Sequence, residues 1–399
     1  MTAHPFDTQG LDHCPFMPVF APPQVMFVRG RGTELWDSDG KRYLDFLCGL
    51  AVTSLGHANP AVADALCRQA GTLLHVSNFF ANPVAAEAAI KVNALLAEVT
   101  DHEGQVFFCN SGAEANEAAL KLARKFGGRG RHEVVSAHGS FHGRTLATLA
   151  ATGQPTKHEP FQPMPEGFRH VALNDIAALD AAIDTTVAAV LLETVQGEGG
   201  VVVADPDYLR AVRALCDERG LLLIIDEVQT GFARTGQWFG FQHSGVVPDV
   251  VTMAKAMGNG FPVGATWAKR EVAALFHPGD HGSTYSGTAI ATAAVSAVID
   301  EMRRIDAPRL AREKGEVLVA RLTTLPGVAK VRGRGLLLAA ELAPGIDAKA
   351  VYTLLLERGL VTNAVTPTAL RLAPPLTVTL DEIDEAVDII ANVLEEQTR

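Results

Sequence analysis

The chain has 399 residues, 48% of them apolar, enough for two domains or one large domain with an appendage. Its 34 basic and 45 acidic residues give a net charge of −11 with no basic stripe, which excludes nucleic acid as an expected partner. No apolar run approaches the ~20 residues of a membrane span. The N-terminal Met1-Thr-Ala-His-Pro-Phe lacks the basic and apolar segments of a secretory signal, so neither membrane nor export is expected.

In chain order, residues 1 to about 30 are Pro-rich (Pro15, Pro18, Pro22, Pro23) and read as an irregular arm over the body or a partner. Glu34 to Phe46 reads as two strands around an Asp-Gly turn. Pro60 opens an alanine-rich helix, and His57 before it reads as a loop residue. His75-Val-Ser-Asn78 precedes another helix. Gln105 to Asn110 is a strand, Ser111-Gly112-Ala113 a tight turn, and Glu114 to Lys125 a helix. A Ser-Gly turn opening a helix aims backbone N–H groups and a hydroxyl at one spot, which suits a phosphate; the same serine also suits an ordinary N-cap.

The strand beginning at Val134 runs into a loop holding Phe141 and Arg144. An aromatic there can stack on a ring and an arginine can fork a carboxylate, though either can be structural. Residues 153 to 170 read as a long loop, followed by a helix at 175–184 and a strand at 188–193. Gln196-Gly-Glu198-Gly-Gly200 is a Gly-rich loop without the spacing of a dinucleotide site. After a helix at 206–219, the apolar run Leu221 to Ile225 ends in Asp226. A second run, Asp249 to Met253, delivers Lys255 just before a turn rich in glycine.

A lysine at a strand end is ordinarily solvated. A desolvated one has a lowered pKa and attacks aldehydes. With a carboxylate at the next strand end, the pair suits pyridoxal phosphate, the amine forming a Schiff base and the acid pairing with the ring nitrogen. Asp226 capping a helix or binding a metal are the alternatives. Strands alternating with helices from about 105 to 270 argue for a parallel α/β sheet covered on both faces, whose ligands gather at the carboxyl ends of the strands. Ser111, Phe141, Glu198, Asp226 and Lys255 all fall at or just after such ends. From Ala289 onward the elements are shorter and mixed, as in a separate α+β unit. The five cysteines, Cys14, Cys48, Cys67, Cys109 and Cys216, are scattered and read as free thiols of a reducing cytoplasm.

From about residue 20 to its end the chain resembles the class III (ornithine-type, subgroup II) aminotransferases of pyridoxal-phosphate fold type I. The resemblance is carried by Leu55-Gly-His57, His75-Val-Ser-Asn78, Asn110-Ser-Gly-Ala-Glu-Ala-Asn116, Phe141-His-Gly-Arg144-Thr, Gln196-Gly-Glu-Gly-Gly200, Asp226-Glu-Val-Gln-Thr-Gly231, Ala254-Lys255 and His281-Gly-Ser-Thr284. It implies an α/β fold: a large domain (66–295) with a mainly parallel sheet, and a small α+β domain drawn from both termini (1–65 and 296–399).

It further implies pyridoxal 5'-phosphate as cofactor and no metal. Lys255 would be the Schiff-base lysine and proton shuttle, and Asp226 the partner of the ring nitrogen. Phe141 and Val228 would sandwich the ring, and Gln229 would bond its phenolic oxygen. Ser111, Gly112 and Ala113 would hold the phosphate, helped by Thr284 of a neighbouring subunit, which implies a homodimer with active sites at the interface. Arg144 would bind one substrate carboxylate and Arg371 a second, with Glu198 as the switchable partner of Arg371, and Asn78 and Ser283 would line the substrate. The implied reaction moves the δ-amine of N2-acetylornithine to 2-oxoglutarate, as in arginine biosynthesis. Succinylornithine, LysW-carried lysine, ornithine and 4-aminobutyrate stand as other donors. A racemase or aminomutase, or a non-catalytic sensor of the same fold, is the rival from another class.

Overall fold

The structure is a computed structural model that describes residues 16–21 and 23–398. Most of the expected Pro-rich arm, with Cys14, Pro15 and Pro22, lies outside the described residues. Strand β1 (Phe27–Arg31) starts where the sequence reading still placed the arm, and it forms an antiparallel ribbon with β2 (Glu34–Asp37) and β3 (Arg42–Asp45).

The centre of the molecule is a seven-stranded sheet. Its strands in chain order are β4 (Gly104–Cys109), β5 (Glu133–Ala137), β6 (Phe168–Val171), β7 (Val187–Glu193), β10 (Leu222–Asp226), β11 (Val250–Met253) and β12 (Gly264–Lys269). Two short strands, β8 (Val195–Gln196) and β9 (Val202–Val203), pair separately beside it. The spatial order is β4-β12-β11-β10-β7-β5-β6, with β12 antiparallel to both its neighbours and the rest parallel. Every residue of β7, β10 and β11 is buried. That burial explains their near-continuous apolar runs, since helices cover both faces of a parallel sheet. One cover helix, Gly112–Gly127, turns Ala115, Ala118, Ala119 and Leu122 inward.

Two parts of this sheet depart from expectation. The region read as a loop over 153–170 ends in β6, an edge strand whose Phe168, Arg169 and His170 are only half-buried. The small residues and flanking Gly-Pro turns of β12 concealed a fully integrated strand.

The remaining strands, β13 (Val328–Arg334), β14 (Leu337–Leu342), β16 (Asn363–Thr366) and β17 (Ala369–Leu372), form an antiparallel sheet in the order β13-β14-β17-β16. Helices Ala307–Thr323, Ala348–Glu357 and Leu380–Thr398 pack with it. The short β15 (Leu360–Val361) leaves this region and pairs in parallel with β3, so strands from both ends of the chain share one sheet. Among the described residues no helix is long and apolar enough to cross a membrane. Cys48, Cys67, Cys109 and Cys216 are free thiols.

Candidate active site

The parallel strands end together at one cavity of about 360 Å3. Five groups highlighted by the sequence line it: Ser111 after β4, Phe141 after β5, Glu198 after β8, Asp226 at the end of β10 and Lys255 after β11. Gly112, Ala113, Arg144, Val228 and Gln229 line it as well.

At one wall the helix Gly112–Gly127 presents its N-terminus. Ser111 is its N-cap, the Oγ accepting the Glu114 N–H at 3.2 Å. The N-cap reading of Ser111 holds, and an anion site would use the same turn. Gly112 is needed for closeness: a Cβ there would come within 2.8 Å of the Val228 side chain.

Lys255 opens a 3-10 turn with φ of 47°, an uncommon left-handed conformation for a residue with a side chain. Among the described residues no hydrogen-bond or ion-pair partner meets its amine. Burial pushes that amine below its ordinary pKa, against the opposing pull of Glu198 and Asp226. A lowered pKa favours the nucleophilic amine that capture of an aldehyde requires.

Asp226 is 4% exposed and receives three hydrogen bonds. Its Oδ2 accepts from Asn116 Nδ2 at 2.8 Å and His142 Nδ1 at 2.9 Å, and its Oδ1 from the Val228 N–H at 3.0 Å. Asn116 is itself fixed by Thr252, whose hydroxyl donates to Asn116 Oδ1 at 2.8 Å. Three donors fix the direction of this carboxylate.

Phe141 and Val228 flank the cavity, and the Arg144 guanidinium lies 5.5 Å from the Phe141 ring centroid. Arg144 is exposed and has no acidic partner among the described residues, so it is available to a ligand carboxylate. Arg371 does not line the cavity but reaches it through Glu198. It is 1% exposed, and its Nη1 donates to Glu198 Oε1 at 2.5 Å and the Gly197 carbonyl at 3.2 Å; its Nε donates to Asn363 Oδ1 at 3.0 Å. Its Nη2 is buried without a partner. Burial works against the Glu198 charge, but Arg371 outweighs it and holds the carboxyl below its usual value. Gln229 Oε1 is also buried and unpartnered. A Cβ on Gly197 would lie 1.6 Å from that oxygen, so only glycine allows this approach.

These features fit pyridoxal 5'-phosphate. A helix N-terminus meets the phosphate's chemistry, an unpaired amine the aldehyde's, a fixed carboxylate the ring nitrogen's, and apolar walls the ring's faces. Among the described residues no group of three or more His, Cys, Asp or Glu side chains is placed to hold a metal.

Besides Arg371, three expected site residues do not line this cavity. Asn78 and Thr284 are exposed, and Ser283 is half-buried, its Oγ accepting from Asn110 Nδ2 at 3.2 Å. His57, read as a loop residue, pairs with Asp45 at 2.7 Å. Conversely, Asn116, His142 and Glu193 line the cavity although the sequence reading gave them no role. The signal for Glu193 was available: it ends the wholly apolar β7 as Asp226 ends β10.

The family description aminotransferase class-III matches residues 18–394. The chain is 47% identical over 381 residues to the acetylornithine aminotransferase of Caldanaerobacter subterraneus subsp. tengcongensis, covering 93% of this chain and 95% of that protein. Among solved structures, an ornithine aminotransferase from Toxoplasma gondii with partial occupancy of PLP superposes with a TM-score of 0.90 at 32% identity, covering 97% of this chain and 94% of that one. A PLP-bound amine transaminase from an uncultivated Pseudomonas species gives a TM-score of 0.88 at 29% identity, covering 96% and 98%. The chain belongs to the class III aminotransferases. It is a pyridoxal-phosphate-dependent enzyme of fold type I.

Proposed function

We propose that the enzyme moves the δ-amino group of N2-acetylornithine to 2-oxoglutarate, giving N-acetylglutamate 5-semialdehyde and glutamate. The observation that carries this reading is the buried Arg371 neutralised by Glu198 beside Lys255. A donor whose reacting end bears only an amine leaves that ion pair intact. Glutamate reacts at its α-amine and brings an α-carboxylate to the same place, where it replaces Glu198 on Arg371. One pocket thus serves both half-reactions, and Arg371 is partnered in each, as a buried guanidinium requires. Arg144 takes the other carboxylate of either substrate. Likeness to an acetylornithine aminotransferase at 47% identity supports acetylornithine over other donors.

Pyridoxal phosphate supplies the electron sink that makes the proton next to the nitrogen removable. Lys255 is the amine that would hold the cofactor covalently and carry the proton from carbon to carbon at its Nζ. Asp226 would keep the ring nitrogen protonated, its own orientation set by Asn116 and His142. Ser111, Gly112 and Ala113 would bind the phosphate, Phe141 and Val228 would confine the ring, and Gln229 would reach its phenolic oxygen.

The working unit is read as a homodimer. Phe79, Phe80 and Tyr285 are 93%, 70% and 61% exposed, and they lie in the segments that hold Asn78, Ser283 and Thr284. Exposed aromatic clusters favour a partner surface. Such a partner would bring Thr284 of the partner subunit to this phosphate and would place Asn78 and Ser283 at the substrate entrance. The enzyme is read as a cytoplasmic one of arginine biosynthesis.

Steady-state turnover tests the donor. Purified enzyme with 2-oxoglutarate is offered N-acetylornithine, succinylornithine, ornithine and 4-aminobutyrate, and glutamate formation is followed. The highest kcat/KM is expected for N-acetylornithine. Turnover of none of the ornithine-type donors would remove the proposal.

A further inference from the structure

The cavity contains a second buried carboxyl group that the reaction as described does not use. Glu193 is 7% exposed and ends β7. Its register partner across the parallel pair is Asp226, so the two side chains leave the sheet side by side on one face. Both line the cavity.

Their surroundings differ sharply. Asp226 receives three hydrogen bonds, from Asn116, His142 and the Val228 N–H. Glu193 receives one, from the Phe141 N–H to Oε2 at 3.0 Å. Among the described residues nothing bonds its other oxygen, Oε1. Two adjacent buried carboxyl groups do not both ionise readily, and the one with fewer donors is the one to stay protonated. The other charged groups facing Glu193 are Lys255 after β11 and Glu198 after β8, which act in opposite directions. Burial first, and the Asp226 charge second, push the Glu193 carboxyl well above its ordinary pKa.

We infer that Glu193 stands in the pocket as a neutral carboxylic acid, accepting the Phe141 N–H on Oε2 and offering its own O–H to the bound cofactor or substrate. The inference rests on the reading of this cavity as the pyridoxal-phosphate site. It divides the two carboxyl groups by role: Asp226 supplies charge and Glu193 supplies a hydrogen. It also gives Glu193 a second task, since the Phe141 backbone it grips positions the ring wall and begins the loop carrying Arg144.

The test is Glu193→Gln. A glutamine amide reproduces a neutral acid: its oxygen can accept the Phe141 N–H and its NH2 can donate into the pocket. If Glu193 is neutral, E193Q binds pyridoxal phosphate far more tightly than E193A or D226N, and the pH profile of its cofactor binding matches that of wild type. E193A loses both contacts, and its cofactor affinity falls about tenfold or more. Asp226→Asn is the contrast, because there the charge itself is removed. Infrared difference spectra of cofactor-free wild type and E193Q add a direct readout. The wild type shows the C=O stretch of a protonated carboxyl, and E193Q lacks it.

Loss of cofactor affinity in E193Q comparable to that in D226N would overturn the inference, and so would the absence of that infrared band. The infrared band decides the state of Glu193 even if E193A fails to fold. Should wild type itself take up no pyridoxal phosphate, the functional reading fails separately, because the infrared comparison needs no cofactor.

Discussion

Replacing Glu198 by alanine isolates the Arg371 switch. Under the proposed switch, glutamate displaces Glu198 from Arg371 before its α-carboxylate binds, whereas the amine donor leaves the pair in place. E198A leaves Arg371 with only Asn363 and the Gly197 carbonyl, in a setting where it is 1% exposed. Breaking a fully buried pair costs about 3–5 kcal/mol. The Glu198 side chain is 29% exposed, so screening reduces this to about 1–2 kcal/mol. That energy is lost in the free enzyme and in the donor complex alike, so donor kcat/KM changes little. Incoming glutamate regains it, so kcat/KM for glutamate rises by roughly 5–30-fold. The assay is the rate of each half-reaction, with each substrate alone, in wild type and E198A. A glutamate-to-donor ratio that stays constant, or moves toward the donor, would refute the switch.

Other perturbations read other parts of the site. Lys255→Ala abolishes transamination by about 10⁴-fold or more, and borohydride fixes the cofactor to wild type but not to K255A in intact-mass spectra. Arg144→Leu lowers kcat/KM for donor and glutamate together, by roughly 10–100-fold, because both place a carboxylate there. A change confined to one substrate would place Arg144 elsewhere. His170 predicts a pH effect on stability. Burial depresses its pKa from 6.5 to about 4, partly offset by the Ala151 carbonyl and deepened by neighbouring histidines. A histidine depressed by folding stabilises above its unfolded pKa, and this contribution fades as pH falls from about 6.5 to 4. After allowance for solvent screening it amounts to about 1–2 kcal/mol. Melting curves of wild type and His170→Gln from pH 7.5 to 5 should show the larger Tm loss in wild type; parallel losses would contradict this.

Much of the site was legible because its chemistry sits at strand ends. An apolar run that stops at a carboxylate or a lysine is visible in one dimension, and the parallel topology guarantees that such ends meet. Asp226 and Lys255 were found that way. Helices Pro206–Arg219 and Ala289–Arg304 were legible from their caps and periodicity. Asn116 and His142 were not, because their roles depend on geometry across the sheet. Asn116 lies in the second turn of a helix, where it reads as an ordinary helical residue, and only the fold sets it against Asp226 and Thr252. Glu193 ends an equally visible apolar run, but its place beside Asp226 needed the register between β7 and β10, which no local pattern encodes. Strand β13 was hidden by its charged, glycine-interrupted run Lys330-Val-Arg332-Gly-Arg334, which offers no continuous apolar face. Asn78, Ser283 and Thr284 stand outside the cavity of their own chain, and a single chain carries no contact that assigns them.

The most direct test of the central claim is a half-reaction titration. The purified enzyme, loaded with pyridoxal phosphate, is mixed with N-acetylornithine alone and with glutamate alone. Loss of the long-wave absorbance of the bound pyridoxal form is followed as the pyridoxamine form appears. Complete conversion by each substrate separately is the expected result, because one pocket with Lys255, Arg144 and the Glu198–Arg371 pair serves both. A loaded enzyme that glutamate cannot convert, or one that never develops the long-wave band, would contradict it.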